Sequence, residues 1–501
     1  MKTIKYLFLS ALFLVPSSCI ELEREDYTEI YPENFFQNES DIRLAINSLY
    51  ATFSSKWGGV YEAGRLGYQV FPDMTTDASW TSWGWEWDQM RFQQWSSTMS
   101  GYLSNVINNT FDHYNYLSSA RDVIRKIEEA PASDDVKARY AAEAYALRGW
   151  MGLYLYDNFG PVPIASDEIL DNPEEFVYLP RATEEEYDAF MENDLRKAIE
   201  GLPVTASVRG KLTKGAARMI LLKYYMIKGY FDKAETLVRE LYAMEGSTYV
   251  LYPSYNDIFT KENMGNKEII LPIPCNNPNS ANYLTAHIVP SDYTWTEKSA
   301  TYGGYVMPWP FYDTFEQGDD RLKNIVVEYT NTSGKVVKRE ESGNLIYGAI
   351  PLKYGKDPDH SGDMSSVDIV VFRYADVLLT LAECINRNNK QPTAEAIGLV
   401  NRVRERVGLA PLSASETATY ETFNEAILRE RGHEFFYEGL RRQDLIRFGK
   451  YAEYANERIR LENEKKGTTY TQVDNTHNRF WIPISIINES KSEIKQNEGY
   501  N

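Results

Sequence analysis

With 501 residues, 43% of them hydrophobic and 25% charged, the chain is long enough for more than one domain and apolar enough for a large core. Its 53 basic and 72 acidic side chains leave a formal charge of −19 at pH 7, which excludes binding of nucleic acid or anionic lipid through bulk electrostatics. Three cysteines exclude a disulfide framework and a cysteine-rich metal cluster.

The first segment sets the expected compartment. Lys2 and Lys5 precede an apolar run from Tyr6 to Val15, followed by Pro16, Ser17, Ser18 and Cys19. A basic start, a short apolar stretch and small residues read as a secretory signal over residues 1–18. The run is shorter than the ~20 residues needed to cross a bilayer. Ending in cysteine, it resembles a bacterial lipobox, although Pro16 stands where leucine is usual. Cys19 is therefore expected to begin the mature chain and carry its lipid. Loss of Lys2 and Lys5 would bring the charge to −21.

Residues 57–101 form the first irregular stretch. They hold six of the ten tryptophans: Trp57, Trp80, Trp83, Trp85, Trp87 and Trp95. Trp83, Trp85 and Trp87 alternate, which an extended segment would turn to one side and a helix would not. An indole offers a flat apolar face to the C–H face of a pyranose and an N–H to its hydroxyls. Trp80, Trp83 and Trp85 are the expected ligand contacts, with Asp77, Asp88 and Gln89 nearby for hydroxyls; Trp57 and Trp95 are expected to pack.

Helical periodicity follows. Apolar residues recur at three- and four-residue spacing over 102–129 and 134–156, the latter stopped by Asn158-Phe159-Gly160-Pro161. Thr183 with Glu186 is a capping box for a helix reaching Ile199. Residues 214–228 and 231–242 form a helix pair around Lys228-Gly229-Tyr230-Phe231-Asp232-Lys233-Ala234, similar to a tetratricopeptide unit.

A second irregular stretch, 251–356, is rich in Gly, Pro, Asn and aromatics and contains β-like runs at 268–272 and 325–329. Its Tyr293, Trp295, Tyr302, Tyr305 and Trp309 could close a site from the far side. Asp357, Asp359 and Asp363 hint at a calcium loop with unusual spacing; no metal and no cofactor is expected. Further helices are expected over 374–387, 393–407, 423–440 and 445–464.

Enzyme signatures are missing: no Gly-x-Ser-x-Gly elbow, phosphate loop or dinucleotide fingerprint. His433-Glu434 opens like a zinc motif, but Tyr437 stands where the second ligand would be. A glycosidase carboxylate pair stays open, because its signature is a distance in space.

Several segments together resemble the SusD/RagB family of outer-membrane nutrient-binding lipoproteins of Bacteroidetes. They are Ala146–Trp150 through Tyr156–Pro163, Arg373–Val377 with Ala382-Glu383, Val400–Arg404, Arg429–Arg431 through Glu434-Phe435 to Glu438–Leu445, and Trp481–Ile484 with Lys495–Tyr500. The resemblance covers almost the whole chain in order. It implies a mainly α fold, with tetratricopeptide-like helix pairs as scaffold, long aromatic-rich loops and minor β. It also implies one SusD-like domain over 19–501, lipid-anchored display on the outer membrane, and binding of oligosaccharide or, in some relatives, peptide. The implied partner is a SusC-like TonB-dependent transporter, and no catalysis is implied. The acidic Glu21–Asp26 start resembles a surface-export signal. Glu430, Arg431, Glu434, Arg441, Arg442 and Asp444, alternating in sign, are expected to form an ion-pair network rather than an active site. A helical glycoside hydrolase and a peptide- or protein-binding scaffold are the alternatives.

Overall fold

The computed structural model describes residues 35–56, 58–62, 67–84, 86–172, 174, 177–294, 300–341, 343–355 and 357–500. The leader, Cys19, Trp57, Trp85 and Trp295 lie outside them.

Helices carry the architecture: α1 (Glu39–Thr52), α2 (Glu86–Arg91), α3 (Tyr102–Asp112), α4 (Asn115–Glu129), α5 (Asp134–Phe159), α6 (Asp167–Asp171), α7 (Glu184–Gly201), α8 (Lys214–Lys228) and α9 (Phe231–Tyr242). They continue as α10 (Leu284–Ile288), α11 (Trp309–Tyr312), α12 (Tyr374–Asn389), α13 (Ala394–Arg406), α14 (Tyr420–Phe435), α15 (Arg441–Arg447), α16 (Tyr451–Lys466) and α17 (Ile484–Glu489). The strands are short: β1 (Trp80–Thr81), β2 (Ile269–Ile273), β3 (Tyr305–Pro308), β4 (Ile325–Val326), β5 (Glu328–Thr330), β6 (Val336–Lys338), β7 (Gly348–Pro351) and β8 (Ile369–Arg373).

Helices pack in succession, α4 on α5, α5 on α7, α7 on α8, α8 on α9, α9 on α12, and α12 on α13 and α14. This is the mainly α, tetratricopeptide-like scaffold. Each pair covers the apolar face its neighbour exposes. Local chemistry sets the ends. Thr183 and Glu186 cap α7 reciprocally, and Gly229 closes α8 at φ +74°, a conformation glycine adopts without steric cost. α5 sits between α4 and α7 and is buried all round from Ala144 to Phe159, its buried charges paired, Arg148 with Asp194 and Asp157 with Arg442. At Gly149 and Gly152 it approaches α7 so closely that a Cβ would lie 2.7 Å from Leu195 and 2.6 Å from Met191.

Boundaries differ from the periodicity in three places. The stretch 102–129 is two helices, α3 and α4, with a turn at His113–Tyr114. The helix expected over 423–440 ends at Phe435, because Tyr437 takes a left-handed φ of +57°. The helix expected over 445–464 is α15 and α16, broken where the Lys450 N–H turns back to the Leu445 carbonyl.

The motif charges are buried between the helices. Arg373 pairs with Glu268, Glu434 and Glu438, and Arg321 with Asp319, Glu430 and Glu434. Arg406 reaches Glu268 and Glu434, and Arg431 holds Asp376 and Asp444. Arg442 holds Asp157. Buried charges stay ionised only with such partners. No helix among the described residues is long and apolar enough to cross a membrane.

Candidate functional site

The two irregular stretches meet in one sheet. β1 of the first pairs antiparallel with β3 of the second, Trp80 opposite Val306 and Thr81 opposite Tyr305. The four-stranded order is β1-β3-β7-β4. Just past the pairing, the Ser82 N–H donates to the Gly304 carbonyl at 2.7 Å, and the chain turns at Trp83 before α2 begins.

Trp83 is thereby laid on the backbone of the second stretch. Gly304 has φ +128°, and a Cβ there would stand 2.3 Å from the Trp83 indole. Only glycine permits that backbone and that contact together. The Trp83 ring lies 5.1 Å from Tyr305, 5.4 Å from Trp87 and 5.8 Å from His287. Tyr302 is held over the same opening: its N–H donates to the Ala286 carbonyl at 2.7 Å, and its ring lies 5.3 Å from His287. Half of Tyr302, 51%, is exposed.

The acidic group of the site also has a structural task. α3 begins at Gly101, which offers no capping side chain, and the Glu86 carboxylate accepts the Leu103 N–H at 3.0 Å instead. A Cβ at Gly101 would collide with that carboxylate at 2.2 Å. Trp83, Gly84, Glu86, Trp87, Tyr102, His287 and Tyr302 enclose a cleft of about 510 Å³. Its walls are aromatic, with one carboxylate. Such a wall suits a ligand with flat apolar faces and hydrogen-bonding edges.

The remaining expected contacts lie elsewhere. Trp80 is buried, edge-to-face with Tyr347 at 4.8 Å and covered by the Arg91 guanidinium at 3.4 Å. Asp77 is engaged by Arg441 in two hydrogen bonds of 2.8 and 2.7 Å. Trp309 is buried, donates to the Leu345 carbonyl at 3.0 Å and carries Arg339 over its ring. Tyr293 packs on Tyr329 at 5.0 Å. Trp95 is buried, as expected, and donates to the Tyr500 hydroxyl at 2.7 Å. Trp85 and Trp295 lie outside the described residues. Trp87, Tyr102, His287 and Glu86 were not among the expected contacts. Trp83 and Trp87 line the same cleft, although Trp83 precedes α2 and Trp87 lies in its first turn, so a loop-to-helix junction and not an extended run places them there.

The candidate calcium carboxylates are taken up by side-chain donors of the protein. Lys261 binds Asp357 at 2.8 Å and also Asp359, while Asp363 accepts from the Tyr302 hydroxyl at 3.3 Å. Among the described residues no group of His, Cys, Asp and Glu is placed to hold a metal ion. His433 is buried, stacked 4.0 Å from Phe315 and bonded to Thr314 at 2.8 Å.

The model of a family described as the SusD family matches residues 246–500, the half that contains the buried Arg–Glu network. The chain belongs to the SusD family. A second family model, described as starch-binding associating with outer membrane, matches residues 22–226 of this SusD-family chain. SusD-like protein P2 of Formosa agariphila is 25% identical over 470 residues, covering 89% of this chain and 91% of that protein. Starch-binding protein SusD of Bacteroides thetaiotaomicron is 26% identical over 434 residues, 74% of each chain. Surface glycan-binding protein A of Bacteroides thetaiotaomicron, solved in complex with laminarihexaose, superposes with a TM-score of 0.70 at 19% identity. That comparison covers 91% of this chain and 99% of the other, and it shows a shared fold.

Proposed function

We propose that this SusD-family chain binds oligosaccharides in the Trp83–Tyr302 cleft at the cell surface and passes them to a TonB-dependent outer-membrane transporter. One observation carries the reading: two irregular stretches more than 200 residues apart are pinned together by β1 and β3 to make an open cleft walled by aromatic rings. Relatives named for binding starch and a fold neighbour holding laminarihexaose support the ligand class. The transporter partnership rests on the family resemblance, the anchor at Cys19 on the short apolar leader before it, and a single domain over 19–501 on the lack of a Ser/Gly-rich linker in the sequence. The cleft requires no bond to be broken.

A glycan array with the purified chain, followed by calorimetry on the best ligand, tests the proposal. Trp83→Ala and Tyr302→Ala should each weaken binding by about tenfold, equivalent to ~1.4 kcal/mol. Release of reducing ends from the bound polysaccharide would replace binding by hydrolysis. Failure of every glycan to bind would leave a protein-interaction scaffold.

A further inference from the structure

A second and larger cleft, about 940 Å³, opens between the β3–α11 segment and helices α14 and α16. Arg91 and Arg458 line it together with Tyr347, Pro308 and Leu461. Neither guanidinium is tied to a carboxylate of a described residue, in contrast to the other two arginines of this cleft, Arg429 on Glu416 and Arg441 on Asp77. Arg91 is stacked at 3.4 Å on the Trp80 ring and at 5.0 Å on the Phe92 ring, and forms no ion pair with a described residue. Its Nε is buried without a hydrogen-bond partner among the described residues. Arg458 is oriented by donating to the Thr75 carbonyl at 2.9 Å and to the Thr76 carbonyl; its Nε is likewise buried and unpartnered, and it too has no carboxylate.

The acidic groups of the cleft are already engaged. Asp77 is held by Arg441, Glu462 by Lys466 at 2.6 Å, and Glu457 and Glu464 by Arg460 at 2.7 and 2.8 Å. Burial, and next the neighbouring Arg458 charge, bring the Arg91 guanidinium down to about 10, against the opposing pull of Glu462 and Asp88, neither of which forms an ion pair with it. Unpaired charge away from water is costly, and an anion entering here would relieve it. The planar fork of arginine matches the two oxygens of a carboxylate or sulfate. The helix α2 links the sites, since Trp87 lines the aromatic cleft and Arg91 this one.

We propose that the Arg91–Arg458 cleft is a subsite for an anionic group, a carboxylate or sulfate carried on a sugar. Only the sugar as carrier rests on the glycan-binding reading above. The pair acts at short range, against a net charge of −19 that repels anions at a distance.

The test titrates the full chain in detergent with sodium glucuronate, a triuronate and sodium sulfate, against glucose and sodium chloride at equal ionic strength. Glucuronate and the triuronate should bind saturably, the triuronate more tightly, and sulfate should compete. R91Q and R458Q should each weaken glucuronate by about tenfold. In the wild-type protein, glucuronate should protect Arg91 and Arg458 from phenylglyoxal, read by mass spectrometry, so the result holds even if a variant misfolds. Absence of saturable binding, equal affinity in a normally folded R91Q, or protection of neither arginine would overturn the subsite. Sulfate binding as tightly as the triuronate would overturn the sugar as carrier. Failure with these anions leaves the aromatic cleft to be judged by neutral glycans, and the reverse also holds.

Discussion

At the scale of single residues, the aromatic cleft depends on a glycine as much as on its rings. Gly304 combines φ +128° with contact to the Trp83 indole that a Cβ would enter. Gly304→Ala should cost ~2 kcal/mol or more, from backbone strain and overpacking together. It should also reduce glycan binding by displacing Trp83, so chemical denaturation and calorimetry should move together. Trp83→Ala behaves differently. The indole is partly buried against Tyr305 and Trp87, so its loss should cost about 1–3 kcal/mol as well as binding. Tyr302, half exposed, should lose binding with a stability change near ~0.5 kcal/mol. Separating the effects of Trp83 and Tyr302 in this way identifies the ring whose main contact is the ligand.

At the scale of elements, the helices are locked by buried ion pairs whose titration gives stability a pH profile. Burial alone would raise the Glu434 carboxyl, but Arg406, Arg373 and Arg321 hold it well below the usual range. Glu383 is in the same position: burial opposes ionisation, yet Arg447 and Arg387 bring it to about 2. Depressed carboxylates stabilise the fold above the unfolded pKa of about 4, and that stability is lost as pH falls toward 2. Asp73, buried beside Asp444, has the opposite sign, burial holding its carboxyl up at about 7. Its contribution is complete below about 4 and is lost as pH rises through 7. Thermal unfolding should therefore lose resistance as pH falls through 4 toward 2, and Asp73 adds a decline above pH 5 that His433, whose imidazole burial holds well below the usual range, opposes. Glu434→Gln should cost ~3–5 kcal/mol, because three arginines lose a shared partner. Asp73→Asn should flatten the decline between pH 5 and pH 8, leaving the acid limb unchanged. A variant with the wild-type slope over that interval would show that Asp73 does not titrate there.

At the scale of the whole molecule, the predictions concern where the protein sits and what it meets. The acyl anchor proposed at Cys19 sets where the protein should fractionate. Cys19→Ala should move the protein from the membrane fraction to the soluble fraction on ultracentrifugation; retention at the wild-type level would exclude the lipid as anchor. A TonB-dependent transporter should accompany the wild-type protein through gentle detergent extraction. Recovery of a lone monomer with the transporter present would argue against the partnership.

The helical scaffold was legible in the residues, because helix formation and capping are local. Thr183 with Glu186, Gly229 between α8 and α9, and the spacing through Asp134–Phe159 are all readable within a turn or two of chain. The ordered motifs marked the family, and the sign alternation from Glu430 to Asp444 marked a buried network, because buried charge requires partners. The aromatic crowding singled out the two stretches that the fold brings together around the aromatic cleft. Which rings face that cleft depends on contacts far apart in the chain. That choice rests on two residues of β1 finding β3 across more than 220 positions, a register no local pattern encodes. Once paired, Trp80 turns into the packing under Arg91 while Trp83 turns onto Gly304 and the open cleft. The same holds for the arginines: composition counts them, but which ones lack a counter-charge is set by distances between elements far apart in the chain.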